Sequence, residues 1–137
     1  MFKWKDEQVE VSNQVLDLFN KGYSNLFLCA PTGWGKSGIA YTLHQKAKEM
    51  YPDWKSLILN QQKVLVDQYD RFLGKENGVL SIKGKDNYFC QITGDPVSSA
   101  FCQVGSGECS EKDDCEYFKK RRMFDKKDVA ITNYQFV

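Results

Sequence analysis

"APTGWGKS", residues 30 to 37, decides how the rest of the chain is read. It follows a short apolar run, "NLFLCA" (25–30), which reads as a buried strand. It opens into "KSGIAYTLHQKAKEM" (36–50), whose Ile39, Ala40, Leu43 and Ala47 fall at helical spacing. Strand, glycine-rich turn and helix in that order are the context of a phosphate-binding loop, G-x-x-x-x-G-K-[ST], here with Ala30 in place of the first glycine. Gly33 and Gly35 lack a Cβ, so the backbone there is free to turn sharply and approach a phosphate closely. The first amide N–H groups of the helix point at the anion, and the helix dipole adds partial positive charge. Lys36 is expected to reach the β- and γ-phosphates and Ser37 to ligate Mg²⁺. Ala30, Pro31, Thr32 and Trp34 complete the expected cradle, with Trp34 packing near the nucleotide. The plain alternative is a glycine-rich turn without a ligand, in which the Lys36-Ser37 pair would have no structural use.

Length and composition frame this reading. The 137 residues suffice for one domain of ordinary size. A hydrophobic content of 42% with 27% charged residues is that of a soluble globular protein. There is no apolar run long enough to span a membrane, and "MFKWKDEQ" lacks the apolar core of a signal peptide. An intracellular protein is expected, cytoplasmic if from a prokaryote or virus. A net charge of +1 places any nucleic-acid contact in local patches rather than in the total.

Outward from the loop, "QVEVSNQVLDLFN" (8–20) reads as an amphipathic helix with Val11, Val15, Leu18 and Phe19 on one face. "SLILN" (56–60) reads as a second parallel strand, and "QQKVLVDQYDRFL" (61–73) as a helix with Val64, Leu65, Tyr69 and Phe72 inward. "GVLSI" (78–82) reads as a third strand, "CEYFKKRRMFDKK" (115–127) as a basic helix, and "DVAIT" (128–132) as another buried strand. Strands alternating with helices after a phosphate loop predict an α/β fold on a parallel sheet. Between Gly84 and about Lys112 the periodicity is lost over a stretch too long for an ordinary loop, so something besides a hydrophobic core should order it. His44, in the helix after the loop, is expected to be surface or half-buried and structural.

Five cysteines in an intracellular chain point to metal ligands or buried thiols rather than disulfides. Cys29 sits in the predicted first strand, as a small buried hydrophobe. Cys90, Cys102, Cys109 and Cys115 follow at spacings C-x11-C, C-x6-C and C-x5-C. The close C-x2-C pairs usual in structural zinc sites are missing. Iron–sulfur clusters are also held by four thiolates, and a cubane tolerates ligands scattered along a chain. Spacing alone leaves cluster, zinc and four unrelated thiols open, with a cluster preferred over zinc.

Five segments together resemble the N-terminal part of the iron–sulfur, superfamily 2 DNA helicases, the XPD/DinG-like group. "KWKDEQ" resembles the motif in which a glutamine, here Gln8, reads the adenine. "APTGWGKS" is similar to helicase motif I, and "LNQQKVLVDQY" resembles the DNA-contacting motif Ia, with Asn60 where a threonine is usual. "KGKDNYFC" resembles the segment with the first cluster cysteine, and "CEYFKKRR" followed by "DVAITNYQFV" the last cysteine and the strand leading to motif II. The cysteine segments with "ITNYQF" are more specific than motif I, which many nucleotide-binding families share. The middle spacings depart from the group's usual pattern, which leaves Cys102 and Cys109 less firmly assigned than Cys90 and Cys115.

The resemblance implies a partial RecA-like P-loop domain with an inserted cysteine-rich iron–sulfur segment. Residues 1–83 would begin the ATPase domain, 84–118 would carry the cluster, and 119–137 would return to the sheet. It implies ATP, Mg²⁺ and a [4Fe-4S] cluster as cofactors, with Cys90, Cys102, Cys109 and Cys115 as cluster ligands. Single-stranded or forked DNA would be the partner, touched by Gln62, Lys63, Lys119, Lys120, Arg121 and Arg122, with Lys126 and Lys127 nearby and no membrane involved. Stacking on bases and packing around the cluster are both open to Tyr88, Phe89, Tyr117 and Phe118, and packing is preferred. Motif II and the second ATPase half are expected beyond Val137, so the chain by itself is expected to bind ATP rather than turn it over. Two other classes are weighed: a truncated, non-hydrolysing nucleotide- or DNA-binding protein that regulates or competes with a full helicase, and a small kinase with a zinc-binding insertion.

Overall fold

A computed structural model describes residues 5–73, 78–104 and 109–134. They form two compact units, residues 1–55 and 56–137. The first holds two packed helices, α1 (Asp6–Asn20) and α2 (Lys36–Met50). Gln8, Ser12 and Leu16 are the buried line of α1, spaced four apart along one face. The sequence pointed instead to Val11, Val15, Leu18 and Phe19. The first three are half-buried and Phe19 is exposed. The shift has a polar cause: Ser12 Oγ donates to Gln8 O at 2.7 Å, which lets the hydroxyl be fully buried.

Helix α2 begins where the glycines allow it. Gly35, its N-cap, has φ +84°. Ile39, Tyr41, Thr42, His44 and Ala47 are buried along α2. His44 is therefore neither surface nor half-buried; its ring stacks on Tyr41 with centroids 6.2 Å apart. The strand predicted over residues 25–30 does not form: the segment has no strand pairing, Phe27 is fully exposed, and Leu28 and Cys29 are exposed too. A strand needs a neighbour for its backbone groups, and no other strand occurs among the described residues of this unit.

The second unit is α/β. Strands β1 (Ser56–Asn60), β2 (Val79–Ser81) and β3 (Val129–Asn133) form a parallel sheet in the order β1-β3-β2. The central strand is buried at every position, as a strand covered on both faces should be. Helix α3 (Lys63–Leu73) crosses from β1 to β2 and packs on β2 and β3 through Val66, Tyr69 and Leu73. Val64 and Phe72, expected inward, are exposed. The buried set follows i, i+3, i+7, one helical stripe that the neighbouring apolar residues obscured.

Between β2 and β3 run a 3₁₀ turn (Lys85–Asn87), a short helix α4 (Phe101–Val104) and helix α5 (Glu116–Phe124). Ile82, Tyr88, Val97 and Tyr117 form a buried cluster here, with Cys115, Phe118 and Phe124 against it. Tyr88 and Tyr117 meet with ring centroids 5.5 Å apart. The stretch without periodicity thus has a small core of its own, built by residues too far apart in sequence to show as a pattern.

Candidate functional site

The loop of residues 30–37 is shaped by two glycines in left-handed conformation, Gly33 at φ +81° and Gly35 at φ +84°. Helix α1 holds it. Gln8, 4% exposed, donates from Nε2 to both Trp34 O and Gly35 O at 3.3 Å. Its Oε1 accepts from the Lys5 amide at 3.1 Å, the reciprocal bond of a glutamine at the third helical position. The Gln8 side chain, expected at the adenine, is here engaged at both ends with backbone. Trp34 Nε1 donates to Glu7 Oε2 at 3.2 Å.

The Lys36 ammonium lies across the loop and donates to Ala30 O at 2.8 Å and Pro31 O at 3.0 Å. Pro31, Thr32, Gly33, Lys36 and Ser37 are exposed, and Ala30, Trp34 and Gly35 half-buried. These residues fit a polyphosphate. A flexible cation sits at the mouth of a loop that turns on two glycines, at the start of a 15-residue helix whose first amides have no intrahelical partner. Phosphate oxygens would replace the two carbonyls as partners of Lys36, and Ser37 would offer its hydroxyl to Mg²⁺.

The second constellation lies in the other unit. Cys90, Cys102, Cys109 and Cys115 all line one small hollow that opens to the surface. Val97, Ala100 and Phe118 supply apolar wall. Cys90 heads a turn closed by Gly94 N–H to Cys90 O at 2.9 Å and Cys90 N–H to Asp95 O at 2.8 Å, with Gly94 at φ +76°. The amides of Thr93 and then Ile92, with the Thr93 hydroxyl, donate to its sulfur and hold the thiol below its usual range. Cys102 rides on α4, and Cys115 is the N-cap of α5. Among the described residues, no three His, Cys, Asp or Glu stand close enough to share one metal ion.

Gln62 and Lys63 sit just past the C-terminal end of β1. At the same edge, Asn60 Nδ2 and Thr132 Oγ1 are buried without a hydrogen-bond partner among the described residues. Ligands of open α/β sheets bind outside this edge. On α5, Lys119 pairs with Asp114 at 3.0 Å, Lys120 with Glu116 at 3.6 Å and Arg122 with Asp113 at 2.5 Å. Arg121, Lys126 and Lys127 make no ion pair among the described residues. Tyr88 and Tyr117 are buried, so they pack rather than stack on a partner, while Phe89 is exposed.

Sequence reasoning missed Glu7, which no motif marks, and the amides on the Cys90 sulfur, for which Gly94 four residues on was the available sign. No helix among the described residues is long and apolar enough to cross a membrane.

A family model described as type III restriction enzyme, res subunit, matches residues 1–137. The chain belongs to this family. The res subunit family is one of ATP-dependent helicases and restriction enzymes, with a nucleotide-binding domain of the superfamily 2 type. The α/β unit with its three-stranded parallel sheet is consistent with part of a RecA-like domain. No curated protein and no solved structure matches the chain.

Proposed function

We propose that this res-family chain binds ATP and Mg²⁺ through residues 30–37 and serves a superfamily 2 DNA helicase of the iron–sulfur kind. The observation that carries the nucleotide reading is Lys36, folded across its own loop at the start of α2. Its ammonium has a ready exchange of partners, from two carbonyls to phosphate oxygens, and the exposed loop leaves room for them. Lys36 would neutralise phosphate charge, Ser37 would ligate the metal, and the glycine amides would cradle the anion.

The shared hollow of Cys90, Cys102, Cys109 and Cys115 supports a [4Fe-4S] cluster as the device that orders residues 84–118. When bound, the cluster supplies four iron–thiolate bonds that brace the segment. Single-stranded DNA is the partner this reading expects, with Arg121, Lys126 and Lys127 as the cations most available to its phosphates.

The test is anaerobic purification of the chain, with iron and acid-labile sulfide analysis and calorimetry with MgATP. Iron and sulfide together with ATP binding that Lys36→Ala abolishes are the expected results. Zinc without sulfide would sink the cluster. Wild-type protein that ignores ATP would sink the nucleotide reading.

A further inference from the structure

The arc Gly33-Trp34-Gly35 is the most pliable part of the phosphate loop. Both glycines stand at positive φ, and a Cβ added at Gly33 would meet nothing within 4 Å. Packing therefore does not fix the arc at Gly33. Hydrogen bonds do so: Gln8 Nε2 holds Gly35 O at 3.3 Å, and three more bonds converge on Trp34. Its amide donates to Pro31 O at 3.4 Å, its carbonyl accepts from Gln8 Nε2 at 3.3 Å, and its indole Nε1 donates to Glu7 Oε2 at 3.2 Å. The first bond is long and local. The other two come from consecutive residues in the first turn of α1. The indole meets a charged acceptor, and a charge-assisted bond is the stronger kind.

We propose that Glu7 and Trp34 are positioning residues for the nucleotide: Glu7 holds the indole, and the indole holds the loop in the shape that presents its amides to phosphate. This rests on the reading of residues 30–37 as a nucleotide site. Neither residue touches phosphate in this role. Glu7 acts through Trp34, and Trp34 acts through the backbone on either side of it. The physical gain is preorganisation, since a loop already in its bound shape spends less entropy when ligand arrives.

The experiment is MgATP calorimetry on the full chain and its Glu7→Ala, Glu7→Gln, Trp34→Phe and Glu7→Ala/Trp34→Phe variants. Glu7→Ala and Trp34→Phe should each weaken binding about five-fold, the scale of one partly exposed hydrogen bond. Glu7→Gln keeps an acceptor oxygen and should stay within about two-fold of wild type. The double variant should be no weaker than either single one, because both remove the same bond. Exchange of the Trp34 indole and amide protons, read by NMR without nucleotide, should speed up in Glu7→Ala. Unchanged affinity in Glu7→Ala, additive losses, or unchanged exchange would overturn the proposal while leaving the nucleotide reading intact. Wild-type protein that does not bind MgATP would overturn both.

Discussion

A Cβ placed on Gly35 would lie 2.2 Å from Gln8 Nε2, the atom that donates to Gly35 O at 3.3 Å. The glutamine occupies the space that the glycine leaves open, so helix and loop fit only with this pair. Gly35→Ala should therefore suffer twice, through its φ of +84° and through displacement of Gln8. The left-handed backbone costs about 1–2 kcal/mol for a residue with a Cβ, and the lost hydrogen bond about 1 kcal/mol. Thermal unfolding should show a clear drop in Tm. Gly35→Ala with Gln8→Ala should relieve the crowding but not the backbone strain, and should show no further fall in Tm beyond Gly35→Ala alone.

Cys90 should be alkylated more readily than an ordinary thiol in metal-free protein. Its sulfur accepts from the Thr93 amide, then the Ile92 amide and the Thr93 hydroxyl, and its pKa is lowered. A lowered pKa means more thiolate at neutral pH, and thiolate is the nucleophile. Peptide-resolved iodoacetamide labelling should show Cys90 reacting at lower pH than a free thiol, and Thr93→Ala should move its profile upward. Equal labelling of Cys90 in Thr93→Ala and wild type would rule out the hydroxyl's part.

Alkaline pH should unfold the second unit partly through Tyr88. Burial is the main cause that raises its pKa, against the lowering effect of the Lys83 amide, which donates to its hydroxyl at 3.1 Å. The native state then keeps its proton above pH about 10, where the unfolded tyrosine loses it. Stability should be level below that pH and fall as pH rises toward and through the native value. Tyr88→Phe should lose some stability at neutral pH and show a shallower alkaline decline, as read by urea unfolding at several pH values.

Core and edge positions should separate cleanly. Ile131 is fully buried in the central strand, and Leu57 on β1 is half exposed. Ile131→Ala should cost about 2–5 kcal/mol. Leu57→Ala should cost well under that, about 1 kcal/mol or less. Urea midpoints of the two variants check the contrast.

On α5, Arg121 is a basic residue that makes no ion pair among the described residues. If α5 meets a DNA backbone, Arg121→Ala should weaken single-strand binding for every sequence and reduce the salt slope by about 0.7. Fluorescence anisotropy at several salt concentrations reads both. Lys119, Lys120 and Arg122 have exposed pairs that are weak enough to yield to phosphate, so their substitution should act in the same direction.

Much of the architecture could be read from the chain. Helix α2 was marked at its start by Gly35, and "SLILN" and "DVAIT" are strands within a residue of where their apolar runs placed them. What failed did so for a reason local patterns do not carry. Residues 25–30 have the composition of a strand, yet pairing is a property of neighbours, and the described part of their unit offers no other strand. The buried line of α1 runs through a glutamine and a serine because a loop docks there. The cysteines' spacing left several readings open. Their common hollow depends on the Cys90 turn, helix α4 and the start of α5 coming together, which distance along the chain does not reveal.

Tyr88 and Tyr117 meet at a tilt just outside Cys90 and Cys115, with ring centroids 5.5 Å apart. The two ends of the cysteine-bearing stretch are thereby drawn together at a neck, and loop-closure entropy grows only slowly with the length of what is closed. The stretch has the build of a cassette. A short glycine-containing turn joining Tyr88 to Tyr117 would keep the two rings of the neck but take Val97 out of the cluster they share and Cys115 from the start of α5.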